Sequence, residues 1–279
     1  IQYKPATATV SRTPLLVIPP WINKYYILDL RPKNSYIRWL VEQGHSVFVI
    51  SWVNPGSEFA EKGFEDYLLE GPLAALDAIQ AITGTTQSNV IGYCLGGTLL
   101  AALLAYLEAT DHADRVASAT FLTSMIDFAD PGDLGVFIDD QQIESLEQKM
   151  NRDGYLDGAD MATTFNMLRS NDLIWSFVIN NYLMGEEPLA FDLLYWNSDS
   201  TRMPARMHSE YLRTMYLENR FKDPGGMILD GVSIDISTVK TPCYFLSACE
   251  DHIAPWRSTF AGAGLFKGPV RFVLSGSGH

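Results

Sequence analysis

One stretch constrains this chain more than any other: Val90-Ile91-Gly92-Tyr93-Cys94-Leu95-Gly96-Gly97-Thr98. It reads as a buried strand running into Gly-x-Cys-x-Gly and then directly into a helical run, Leu99 to Glu108. A sharp strand-to-helix turn brings backbones close and strains the residue at its apex. The flanking positions must therefore lack side chains. Such a turn lifts the sulfur above the sheet and sets it at a helix N-terminus, where the dipole favours thiolate. A buried structural cysteine in a Gly-rich turn is the plainer alternative. The strand before and the helix after favour a nucleophile.

The rest of the chain supplies the setting for such a turn. Its 279 residues suffice for one large α/β domain, with or without an insertion. A hydrophobic content of 47% with 19% charge describes a well-cored globular chain. The net charge of -13 argues against general nucleic-acid binding, which needs a basic face. It leaves room for an anionic small substrate held by a local basic patch. Cys94, Cys243 and Cys249 show neither CxxC nor metal-ligand spacing, and favour free thiols in a reducing compartment. The five histidines form no HExxH or Cys/His zinc signature. No apolar run reaches the roughly eighteen residues of a membrane span, and no signal peptide is visible. The chain begins with Ile1 and stops at His279 just after a strand-like run, so a fragment trimmed at both ends is expected.

Short apolar runs alternate with helical ones. Strands are expected at Leu15 to Ile18, Val47 to Trp52, the run before Cys94, Val116 to Ser124, Cys243 to Ala248 and Val270 to Leu274. Helices are expected over Ser35 to Gln43, ended by Gly44, and over Phe64 to Ile82. This alternation implies βαβ units and a mainly parallel sheet. After Asp127 the alternation stops. From Phe128 to about Asn219 the chain is rich in aromatics and methionines, including Phe137, Trp175, Phe177, Tyr182, Phe191, Tyr195, Trp196 and Met203. It is too long for a loop and shows no sheet pattern of its own. A mostly helical cap, or lid, over the strand ends is expected. The division is therefore 1–127 for the first part of the core, 128–219 for the cap and 220–279 for the second part of the core.

A cysteine nucleophile needs a base, and the base an orienting acid. Cys94, Asp251 and His279 stand in the order nucleophile, acid, base, each just past the end of an expected strand. Glu250 is the rival acid and His252 the rival base. Asp251 is preferred, as is His279, because a base adjacent to its acid would point elsewhere. Backbone N–H groups of Leu95 and, from the loop after the first strand, Trp21 are the expected oxyanion donors.

Further blocks narrow the chemistry. They are Pro19-Pro20-Trp21-Ile22-Asn23-Lys24-Tyr25-Tyr26-Ile27-Leu28-Asp29-Leu30, the elbow, Asp127-Phe128-Ala129-Asp130, Asn171-Asp172-Leu173-Ile174-Trp175, Tyr195-Trp196-Asn197-Ser198-Asp199, Glu250-Asp251-His252-Ile253-Ala254-Pro255-Trp256 and Ser277-Gly278-His279. In order and over nearly the whole chain, these resemble the catalytic domain of the polyhydroxyalkanoate synthases. They are most similar to the class I type, which polymerises short (R)-3-hydroxyacyl-CoA units.

The resemblance implies an α/β-hydrolase fold with a mainly parallel sheet and a mostly helical cap insertion. It implies that Cys94 holds the growing polyester as a thioester and that His279 is the general base. Asp251 would support His279 or act on the hydroxyl. Trp196 matches a position linked in the family to the active site or dimer contact. Asn23 and Tyr195 fall in the matched blocks and are taken as substrate or cap residues. No metal or cofactor is implied, and the coenzyme A thioester is the substrate. A cytoplasmic enzyme is implied, attached to the polyester granule and paired as a homodimer through the cap, without nucleic-acid partners. Lys24, Arg31 and Lys33 are candidates for the CoA phosphates, although a solvated surface is the simpler reading of each. Cys249 departs from the family, which usually carries arginine there.

The chemistry gives cysteine a reason. Substrate and enzyme thioesters are close in energy, so loading is nearly balanced, and ester formation is then downhill. Exclusion of water from an aromatic tunnel would protect the intermediate. Two other readings stay open at this point. One is a cysteine α/β-hydrolase acting on a small ester or lactone. The other is a scaffold that keeps the fold without turnover, against which the intact Cys94, Asp251 and His279 argue.

Overall fold

The computed structural model describes residues 1–168, 178–185 and 192–279. Six strands form one sheet: β1 (Leu15–Ile18), β2 (Val47–Val49), β3 (Ser88–Tyr93), β4 (Val116–Leu122), β9 (Cys243–Ala248) and β10 (Val270–Ser275). Their order is β10-β9-β4-β3-β1-β2, and every neighbouring pair is parallel. Parallel neighbours need long crossovers, and helices supply them: α1 (Tyr36–Glu42), α4 (Leu95–Ala109) and α9 (Trp256–Ala263). Ser35 caps α1 by accepting from Arg38 N–H at 2.8 Å, and Gly44 follows its end at φ +83°.

Two strands are shorter than the apolar runs suggested. β2 stops at Val49, short of Trp52, whose indole instead donates to Pro19 O at 2.9 Å. β4 stops at Leu122, since Thr123 takes φ +45° and cannot continue a strand. The expected helix over Phe64 to Ile82 is present as one helical run with a wide turn inside it. α2 (Phe64–Leu68) passes through a π-helical turn (Leu69–Leu73) into α3 (Ala74–Thr83). Pro72 within that turn has no N–H to give, and the local widening accommodates it.

α4 is buried nearly all round, without a break from Leu95 to Ala105. It lies between the sheet and a small hairpin, β7 (Met227–Leu229) with β8 (Val232–Ile234), which the apolar-run reading passed over. Asp230 and Gly231 join its strands at φ +48° and +72°, the backbone of a two-residue hairpin turn. Elsewhere in the core, Phe121 and Phe245 stack at 4.3 Å with Phe266 edge-on to both.

The segment 128–219 carries α5 (Asp140–Asp153), α6 (Gly158–Leu168), α7 (Asp192–Ser198) and α8 (Ala205–Tyr211), with π-helical turns at Val178–Leu183 and Leu212–Leu217. It does have a small sheet, contrary to expectation. β5 (Tyr155–Leu156) pairs antiparallel with β6 (Met203–Pro204). These pairs are too short to show any alternation in sequence. Asn219, at φ +49°, donates to Asp127 Oδ1 and accepts from Phe128 N–H, both at 2.8 Å. The two ends of the segment are thereby tied together where it leaves and rejoins the sheet. The Asn171 to Trp175 block, Phe177 and Phe191 lie outside the described residues. Among those described, no helix is long and apolar enough to cross a membrane.

Candidate active site

Cys94 sits at the turn between β3 and α4 with φ 53° and ψ -123°, a conformation that L residues rarely adopt. The surrounding structure enforces it. Cys94 N–H donates to Leu122 O at 2.9 Å, while Gly97 and Thr98 N–H groups bond back to Cys94 O. The glycines are required by close approach. A Cβ on Gly92 would overlap the Gly97 backbone, one on Gly96 the Ile18 carbonyl, and one on Gly97 the Ser124 side chain. Gly96→Ala is therefore expected to destabilise the fold by about 3 kcal/mol, because its obstacle is backbone of the neighbouring strand. A denaturant titration against wild type checks this. The amides of Leu95 and Gly96 open α4 and have no helical partner within it, so they are free to face an anion.

Asp251 and His279 arrive on the loops after β9 and β10. Those loops are joined by Cys249 N–H to Ser275 O at 2.9 Å and Glu250 N–H to Ser277 O at 3.0 Å. The Asp251 side chain is fully buried. Its Oδ1 accepts from Ile253 and Ala254 N–H at 2.9 and 2.8 Å, and its Oδ2 meets His279 Nδ1 at 2.7 Å. The same imidazole hydrogen-bonds to Cys94. Since Nδ1 is held by Asp251, Nε2 serves the sulfur. The structure thus brings Cys94, His279 and Asp251 together in one chain of contacts, while Glu250 and His252 take no place in it. Burial works against a charge on His279, yet Tyr93, the Cys94 sulfur and the Asp251 carboxylate outweigh it and hold the ring's pKa well above the ordinary value. The geometry favours a charged imidazole beside the Cys94 sulfur.

A cavity of about 120 Å³ opens on Cys94 and His279. Pro20, Ile22 and Asn23 line it from the loop after β1, and Trp196 lines it from α7. Asn23 donates to the carbonyls of Trp196 and Asn197 at 3.2 and 3.3 Å, and the Trp196 indole returns a bond to Lys24 O at 2.7 Å. Tyr26 adds a bond to Asp199 at 2.7 Å. The two matched blocks are thus a single joint between the loop after β1 and α7. Trp21 turns its side chain away, into an aromatic cluster with Trp52, Phe64 and Tyr67. Tyr195 corrects an expectation. It is 72% exposed and does not line the cavity. Neighbours on a helix point about 100° apart, so Trp196 facing inward turns Tyr195 outward.

Two lining residues escaped the sequence reading. Tyr211 and Tyr216 are buried beside Cys94, with their hydroxyls 3.4 Å apart. Burial first, and then each other's proximity and that of Cys94, holds Tyr211 well above the usual phenol pKa, and burial does the same for Tyr216. Both therefore stay protonated. Residues five apart share a face here because the helix widens to a π turn over Leu212–Leu217. An ordinary helical wheel separates them.

His208, three residues before Tyr211, is buried, and burial lowers its pKa to about 4. The unfolded chain takes this proton near the ordinary value of 6.5. Between those values the unfolded state binds more protons, so stability falls as pH drops through that window. Wild type is expected to lose about 2 kcal/mol more than His208→Gln between pH 7 and pH 5. Paired denaturant titrations at the two pH values check this.

Comparisons with known proteins bear on the fold and the family. The family described as "alpha/beta hydrolase fold" matches residues 24–279, and "Poly-beta-hydroxybutyrate polymerase (PhaC) N-terminus" matches residues 1–40. A "Poly(3-hydroxyalkanoate) polymerase subunit PhaC" from Rhizobium meliloti is 56% identical over 279 residues, covering 100% of this chain and 45% of its own. The protein of the same description from Cupriavidus necator is 43% identical over 284 residues, covering 100% and 48%. The chain spans about half the length of these curated relatives. Among solved structures, an esterase from Thermogutta terrifontis aligns with TM-score 0.57 at 14% identity, covering 100% of this chain and 90% of that one. A hydrolase from Pseudomonas aeruginosa aligns with TM-score 0.59 at 12% identity, covering 97% and 84%. At such identities the solved structures speak for the fold alone. The chain belongs to the alpha/beta hydrolase fold family and is, along its whole length, a relative of the poly(3-hydroxyalkanoate) polymerases.

Proposed function

We propose that this chain is the catalytic part of an acyltransferase that polymerises (R)-3-hydroxyacyl-CoA, 3-hydroxybutyryl-CoA foremost, into polyester with release of CoA. The observation that carries this reading is the Cys94–His279–Asp251 chain of contacts opening into a largely apolar cavity. In the first half-reaction the Cys94 thiolate attacks the thioester carbonyl. The oxyanion rests on the N–H of Leu95 and on that of Trp21. CoA leaves as the thiol, taking the proton held by His279. In the second half-reaction His279 accepts the proton of a 3-hydroxyl, and that oxygen attacks the acyl-Cys94 carbonyl. An ester forms, the sulfur is released, and the chain is one unit longer. Asp251 holds His279 in the tautomer that keeps Nε2 toward sulfur and substrate.

The reading calls on no metal or cofactor, with the coenzyme A thioester as substrate. Residues 128–219 serve as the lid that keeps water from the thioester, hinged at Asp127 and Asn219. The apolar side chains this segment exposes, among them Ile179, Tyr182, Leu183, Met184 and Tyr195, support a homodimer through the cap and contact with a polyester granule. The enzyme would then be cytoplasmic and granule-bound. The testing experiment incubates the full-length protein with (R)-3-hydroxybutyryl-CoA and recovers the product. CoA release with insoluble polyester is expected. Release with only free 3-hydroxybutyrate would mean a cysteine hydrolase instead.

A further inference from the structure

A second cavity lies beside the one that holds Cys94, under residues 128–219. Its volume is about 130 Å³, with apolar walls that include Phe137, Leu156 and Met161. Ile22, Leu134, Tyr211 and Tyr216 line both cavities, so the two abut across these side chains. A water's share of the liquid is about 30 Å³, so the space is on the order of four waters, the scale of one short hydroxyacyl unit. Its one carboxylate, Asp160, bonds to Lys149 at 2.6 Å.

His208 is the anomaly in this chamber. The residue is 3% exposed, and its Nδ1 is buried without a hydrogen-bond partner. Buried polar atoms are nearly always paired, because their lost hydration is otherwise uncompensated. Burial keeps the ring neutral near pH 7. A neutral imidazole offers one N–H donor and one acceptor. Apolar walls and an uncharged ring give a phosphate or carboxylate no counter-charge. The chemistry that fits is an uncharged oxygen on a short aliphatic unit.

We propose that this chamber is a second acyl subsite: it receives the hydroxyacyl unit next along the chain from the one held on Cys94, and His208 hydrogen-bonds the ester oxygen of that unit. This rests on the reading that Cys94 carries a hydroxyacyl chain. A one-unit acyl-enzyme fills only the Cys94 cavity, while a two-unit chain reaches past Tyr211 and Tyr216. The subsite would hold the loaded chain in place while the next thioester enters. It acts on elongation and not on the first acylation.

The test uses the full-length protein with ¹⁵N-labelled histidine, acylated from one-unit and two-unit (R)-3-hydroxybutyryl-CoA, with the adduct on Cys94 verified by mass spectrometry. The His208 ring resonances are expected to shift with the two-unit adduct and not with the one-unit adduct. In kinetics, His208→Phe is expected to lower the ratio of elongation to first-turnover CoA release about tenfold, the scale of one lost hydrogen bond. His208→Gln, which keeps a donor and an acceptor, restores most of it. Unmoved resonances in a verified two-unit adduct would overturn the subsite even if activity is normal. No adduct from either thioester would overturn the acyl-enzyme reading, and the subsite with it.

Discussion

Cys94→Ala is expected to abolish CoA release and polyester formation, a loss of at least about 10⁴-fold on the scale seen when a covalent nucleophile is removed. The reason is local. The thiol that hydrogen-bonds the His279 imidazole is that of Cys94, while Cys243 lies buried within β9 and Cys249 is exposed. The protein should stay folded, because Cys94 is only half-buried and alanine keeps the backbone contacts that set its conformation. Mass spectrometry after mixing with substrate thioester should find an acyl adduct on wild type and none on the variant. Unchanged turnover by Cys94→Ala would remove the covalent mechanism altogether. Cys94→Ser makes a finer comparison, since its hydroxyl is far less acidic than a thiol and the His279 pairing would form only weakly.

Asp251→Asn is expected to cost about 10³- to 10⁴-fold in turnover while leaving the fold in place. The hydrogen bonds of Asp251 dictate the outcome. Its Oδ1 accepts from two backbone amides, Ile253 and Ala254, so the asparagine oxygen must occupy that position. The amide nitrogen then faces His279 Nδ1 and can only donate to it. His279 is driven to the tautomer with its proton on Nε2, which cannot take a proton from the sulfur or from a hydroxyl. The variant also removes a carboxylate that favours the imidazolium, so the pKa of His279 should fall from its raised value. Two readouts follow from one substitution. The pH at which Cys94 reacts with iodoacetamide should move, and turnover should collapse without a matching loss in the thermal midpoint. A loss of turnover that tracks unfolding would assign Asp251 a structural role only.

The meeting of Cys94, His279 and Asp251 was legible because each residue has a short local signal. Cys94 lies between glycines that only a sharp turn demands, and Asp251 and His279 close two strands that an apolar run announces. The β7–β8 hairpin was legible too, in Asp230-Gly231 between alternating residues, a signal that the search for continuous apolar runs passed over. That Tyr195 stands outside the cavity has the opposite reason. A matched block names neighbours, and helical geometry then sends adjacent side chains to different faces.

The strands of the main sheet, the sharp turn at Cys94 and the places of Asp251 and His279 just past their strands were determined by the chain alone, because each depends on local periodicity or on sterics within a few residues. The rest was decided by tertiary structure. Asn23 bonds to backbone carbonyls more than 170 positions away, and Tyr211 and Tyr216 face Cys94 only because one helix turn widens. His208 becomes an unpartnered group only when the helices around it close. Contacts between distant segments leave no local pattern, since what matters is which surfaces meet once the sheet has assembled. The place of Cys94 at its turn could therefore be read from the sequence, and the walls of its cavity could not.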